Sequence, residues 1–151
     1  MTGRMPVLVA VLAWAAGAGC GVVGPGCRDE TGGVFAINAQ VPAGGVAAYT
    51  VRSPKSSNLV MRLTWSETAA TLGISATITD CGGHPGCMMI TVTPPFGPGG
   101  SSPVPQPWPP GLREMLVDGW SGKTYRVEIA GDPDRDVAFT LNVTYRITCE
   151  S

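Results

Sequence analysis

Apolar and polar positions alternate along much of this chain, and the alternation sets its architecture. Leu59, Met61, Leu63 and Trp65 fall on one face of a run whose other face carries Arg62 and Thr64, the period of two expected of a half-buried strand. Ile74, Ala76 and Ile78 alternate in the same way with Ser75, Thr77 and Thr79, and Tyr125, Val127 and Ile129 with Thr124, Arg126 and Glu128. The longest run is the last, where Phe139, Leu141, Val143, Tyr145 and Ile147 interleave with Thr140, Asn142, Thr144, Arg146 and Thr148. Strict alternation of that length fits no helical period. Weaker strands are expected at 34–40, 46–52, 88–93 and 114–117, separated by turn residues at 42–45, 53–58, 119–123 and 131–134. No segment carries the caps and periodicity of a helix. Strands with one apolar face each bury those faces by pairing two sheets, so the expected fold is all-β, an antiparallel β-sandwich.

The N-terminus departs from this pattern. Arg4 precedes an apolar run from Met5 to Ala16, and Gly17, Ala18 and Gly19 follow it, the layout of a secretory signal. A membrane-spanning helix needs roughly 20 apolar residues, more than this run supplies. Ala18-Gly19-Cys20 resembles the lipobox of bacterial lipoproteins, with Gly17 where that motif usually has Leu. The resemblance implies cleavage before Cys20 and lipid attachment to its sulfur; the alternatives are ordinary cleavage after Ala18, which gives a secreted protein with a free or intermolecular Cys20 thiol, and a segment that is not cleaved. The expected organisation is a signal peptide over 1–19, a lipidated Cys20 with a flexible tether over 20–32, and one domain over 33–151. Several acyl chains together hold a protein stably at a bilayer, so the domain needs no membrane-facing surface of its own.

Cysteine arithmetic agrees with that reading. Five cysteines leave an odd thiol unless Cys20 is consumed, and the other four then form two disulfides. Of the three pairings, Cys81–Cys87 closes a loop between two strands and Cys27–Cys149 ties the start of the domain to its last strand. On the chain-entropy model these contribute about 2 and about 5 kcal/mol. Such bonds need an oxidising envelope or exterior. A zinc site at Cys81, His84 and Cys87 lacks an evident fourth ligand and is set aside. Charge narrows the partners: the net charge is −1 and charged residues are 14%, so no basic field exists to hold nucleic acid.

Two stretches carry candidate chemistry. Asp132, Asp134 and Asp136 are spaced by two and offer oxygens to calcium, although Pro133 and Arg135 suit a solvated turn better. The Pro-rich insertion over 94–111 holds eight prolines, which favour extended backbone, and loops of this length are uncommon without function or disorder. Trp108 lies between two of them. It either folds over a sheet edge as a cover or, with Phe96, offers a flat face to a sugar or peptide. Met88 and Met89 read as strand packing. Catalysis finds little support: there is one histidine, no nucleophile elbow and no phosphate loop, and no cofactor is implied.

The order of features from Val41-Pro42-Ala43-Gly44-Gly45 through Tyr49, the Leu59–Trp65 run, Gly122-Lys123-Thr124-Tyr125 and the Phe139–Tyr145 run resembles the bacterial pre-peptidase C-terminal domain. That family implies a small jelly-roll-like sandwich, often appended to secreted proteases, with some relatives binding collagen or polysaccharide. One departure is the lack of an acid between Leu72 and Ile78, where the family commonly carries an Asp, so no cation role transfers from it. Two functions follow as expectations. One is a lipid-anchored envelope module that binds polysaccharide or protein without catalysis; the other is a structural or assembly lipoprotein acting through an envelope partner.

Overall fold

The computed structural model describes residues 28–83, 89–94, 96 and 99–149. Among these residues nine strands follow in order: β1 (Glu30–Val41), β2 (Val46–Arg52), β3 (Ser57–Thr64), β4 (Gly73–Asp80), β5 (Thr91–Val92), β6 (Gly100–Ser101), β7 (Leu112–Gly119), β8 (Thr124–Ala130) and β9 (Val137–Ile147). No helix occurs among the described residues. One sheet has the order β1-β9-β3-β7-β6 and the other β2-β8-β4-β5, with every pairing antiparallel. Most connections cross from one sheet to the other, which is how short loops build a sandwich. The fold is the antiparallel β-sandwich that the alternation predicts.

The core is the set of residues on the inner faces. Leu59, Met61 and Leu63 of β3, Met115 and Val117 of β7, and Leu141 and Val143 of β9 face Val51, Ile74, Ala76, Tyr125, Val127 and Ile129 of the second sheet, all buried. The register makes this collective: Leu63 pairs with both Leu141 and Arg113, and Met61 with both Val143 and Met115, so each inner row runs across strands. One side of the sandwich, where β1 and β2 end their sheets, is filled by aromatic rings. Tyr49 lies 5.7 Å from Phe35 and 6.4 Å from Phe139, ring to ring.

Three expectations need correction. The tether does not extend to residue 32, because β1 starts at Glu30. Gly32 pairs with Tyr145, and a Cβ on Gly32 would lie 2.4 Å from the Tyr145 ring, so the glycine gives the ring its place against the strand. That ring in turn donates its hydroxyl to Glu30, which also pairs with Lys55. The 88–93 strand reduces to Thr91–Val92, and Met89 is 73% exposed and so does not pack against the core as expected. Finally, the Pro-rich insertion is not strandless: Gly100 and Ser101 pair with Val117 and Leu116 and extend the first sheet beyond β7.

Candidate functional site

Arg113 organises the side of the sandwich opposite the Phe35–Tyr49 rings. In β7 it occupies the inward register of Met115 and Val117, opposite Leu63, yet it lies near the strand's start, where the core gives way to the Pro-rich loop. Its guanidinium sits 5.3 Å from the Trp65 ring centre and 5.1 Å from that of Trp108. One nitrogen donates to the carbonyl of Leu112 at 2.7 Å. Partial burial lowers its pKa from the ordinary arginine value, and the group stays charged across the physiological range. No carboxylate among the described residues forms an ion pair with it.

Each indole is fixed by a separate device. Trp65 is buried at the end of β3, where its Nε1–H donates to the Ala70 carbonyl at 3.0 Å and its backbone N–H donates to the Gly111 carbonyl at 3.0 Å. Gly111 has φ +80°, and a Cβ there would fall 2.5 Å from the Trp65 carbonyl oxygen, so only glycine admits this approach. Trp108 is half-buried, donates from Nε1 to Ser102 Oγ at 3.1 Å, and meets Phe96 edge to face with ring centres 6.0 Å apart. The hydroxyl of Ser102 also accepts from the Val104 amide at 3.1 Å, so one serine holds the turn and the indole together.

A cleft of about 360 Å³ opens beside this stack. It is lined by Trp108, Arg113, Thr93 and Pro94, by residues 71–75 leading into β4, and by Val46, Glu128 and Ala130. The lining is mostly apolar. Its two charged groups differ in state: Glu128 is engaged by Arg126 Nε at 2.7 Å, whereas Arg113 faces only π surfaces and its own strand's carbonyl.

Of the expected site residues, Trp108 and Phe96 come together as the aromatic pair at this cleft. Trp108 lies over Arg113 near the start of β7 and lines the cleft. Two of the aspartates named for calcium, Asp132 and Asp136, are engaged by backbone amides. Asp132 is buried, and its two oxygens accept the amides of Thr71 at 2.8 Å and Asp134 at 2.9 Å, which hold its carboxyl below the usual carboxylate range. Asp136 instead accepts from the Ala43 amide at 2.9 Å. These carboxylates therefore tie three loops at one end of the sandwich, and no cluster of three metal-ligating side chains occurs among the described residues. Cys81 and Cys149 are disulfide-bonded; their expected partners Cys87 and Cys27, like Cys20 and His84, lie outside the described residues. Among the described residues no helix is long and apolar enough to cross a membrane.

Arg113 is the residue the sequence reading missed. Its signal was present: extending the 114–117 alternation back by one residue puts a cation in the inward row with Met115 and Val117.

No protein-family model matches this chain, and no curated protein is similar to it. Among solved structures it is similar to the Aeromonas hydrophila protein PliG, a periplasmic lysozyme inhibitor of g-type lysozyme, at 9% identity and a TM-score of 0.40, over 76% of this chain and 87% of that one. A likeness of this size bears on neither fold nor function here.

Proposed function

We propose that this chain is a lipid-anchored, non-catalytic binding module of the bacterial cell envelope, akin to pre-peptidase C-terminal domains, whose ligand sits in the cleft walled by Trp108. The observation carrying this reading is that the Pro-rich loop is pinned to the sandwich by the pairing of Gly100 and Ser101 with β7 and by Trp108 lying over Arg113, with Ser102 and Phe96 fixing the indole within the loop, while an apolar recess of about 360 Å³ stays open beside it. Preformed, mostly apolar concavities with few polar groups are where proteins hold organic ligands. The signal-like N-terminus and Cys20 support the envelope setting, and the disulfide state of Cys81 and Cys149 agrees with an oxidising compartment.

Ligand-observed NMR with chitotetraose and with the tripeptide acetyl-Ala-Ala-Leu tests this reading. Signals of at least one probe should weaken with the wild-type domain and recover with Trp108→Ala. Binding of neither, or equal binding by the variant, would overturn it. The assembly reading draws support from β2, which ends its sheet and exposes Ala48 outside the cleft. A stoichiometric envelope partner retained by Trp108→Ala and lost on Ala48→Lys would favour it.

A further inference from the structure

We infer that the ligand of the Trp108 cleft carries a carboxylate on an apolar body, the C-terminal residue of a peptide, and that Arg113 is the group that reads it. This inference rests on the cleft being a binding site. Four features of the cleft support it.

The first is the electrostatic state of Arg113. A guanidinium presents five N–H donors in a planar fork, and only one contact to an acceptor is formed here, to the Leu112 carbonyl. The remaining donors have no carboxylate among the described residues. The second is its rigidity. With Trp65 and Trp108 both near 5 Å from the guanidinium, its plane is held before a ligand arrives, which lowers the ordering cost of a two-pronged contact. Third, the competing acid is occupied: Glu128 is held by Arg126, so the cleft offers a carboxylate one uncommitted cation. Fourth, the body of the ligand is set by the lining. Val46, Pro94, Ala130 and the Trp108 ring offer apolar surface to an aliphatic side chain, whereas a sugar ring needs several hydroxyl partners and the neutral ones in the lining are Thr71, Ser75 and Thr93.

The geometry places recognition at a chain end. Arg113 lies on the inner row of β7 and lines the cleft beside Trp108, so a carboxylate reaching it belongs to a terminus that enters the recess. Internal Asp or Glu side chains bring two flanking peptide groups, whose donors and acceptors this apolar lining leaves unpaired.

Isothermal titration with acetyl-Ala-Ala-Leu and with its C-terminal amide, against wild type, Arg113→Gln and Trp108→Ala, tests the inference. The acid is expected to bind about tenfold or more tighter than the amide, since a charge-assisted pair is roughly twice as strong as a neutral one. Arg113→Gln should erase that preference, and the acid's affinity should fall as salt is raised. Comparison of acid with amide leaves the protein untouched, so it stands even if Arg113→Gln folds poorly. Equal binding of acid and amide, each lost in Trp108→Ala, would overturn the carboxylate inference and leave the cleft a binding site. Binding of chitotetraose alone, displaced in Trp108→Ala, would overturn it in favour of a glycan. Binding of no probe would overturn the underlying reading instead.

Discussion

Replacing Trp65 with Phe tests whether the Arg113 stack is built into the fold or merely rests on it. The indole of Trp65 is 7% exposed and Ala70, whose carbonyl it serves, is 4% exposed. Phe removes the donor and leaves that carbonyl buried without a partner, at a cost of about 1–3 kcal/mol. The smaller ring opens space beside Arg113 and weakens one of the guanidinium's two faces, each adding about 0.5–1 kcal/mol. We therefore expect a loss of about 3 kcal/mol in urea unfolding followed by far-ultraviolet circular dichroism, with an unchanged m-value, and a Tm lower by about 10 °C for a domain of this size. Trp108→Phe is the control: its donor goes to Ser102 in a loop, and the same assay should register less than about 1 kcal/mol. A Trp65→Phe loss below about 1 kcal/mol would refute the reasoning, because the buried carbonyl would then have found another donor.

Acid sensitivity and anchoring give further tests. The Thr71 and Asp134 amides depress the Asp132 carboxyl below its ordinary value, so its contribution is present above the unfolded pKa, near pH 4, and disappears as pH falls through the folded value. Asp132→Asn should thus be less stable than wild type at pH 6, and the gap should narrow as pH falls below the usual carboxylate range; a constant gap would contradict the assignment. Cys20→Ser should move the protein from the membrane to the soluble fraction, and the intact mass of the membrane-extracted wild type should carry added acyl mass with four oxidised cysteines. An unmodified mature N-terminus would remove the tether.

Strands whose two faces differ strongly were legible, and strands set by distant partners were not. The predicted 46–52 segment matches β2, and the 59–65, 74–79, 124–129 and 139–148 runs find β3, β4, β8 and β9 within a residue or two at each end. In each, apolar side chains on a single face must leave water, and period two is the only backbone that gathers them. The N-terminal extension of β1 over Glu30–Gly32 has no such pattern; its order comes from Tyr145 lying against Gly32 and from Glu30 meeting Lys55, contacts between residues more than 20 positions apart. Likewise Gly100–Ser101 becomes a strand only because β7 offers it an edge. Asp132 and Asp136 looked like cation ligands because spacing alone does not say that backbone amides of Thr71 and Ala43 arrive first. Phe96 and Trp108 were legible as an aromatic pair in a Pro-rich loop, whereas Arg113 falls outside the expected strand, which starts at Glu114, two residues after β7 begins.

The central claim is that the Pro-rich segment is a fixed wall of a preformed cleft, fastened by Trp108. Proton–proton Overhauser measurements on the labelled domain test it directly. The account predicts cross-peaks from the Trp108 indole to the Phe96 ring and to the Arg113 side chain, with a slowly exchanging indole N–H. Random-coil shifts over 100–110 with a freely exchanging Trp108 indole and no such cross-peaks would contradict it.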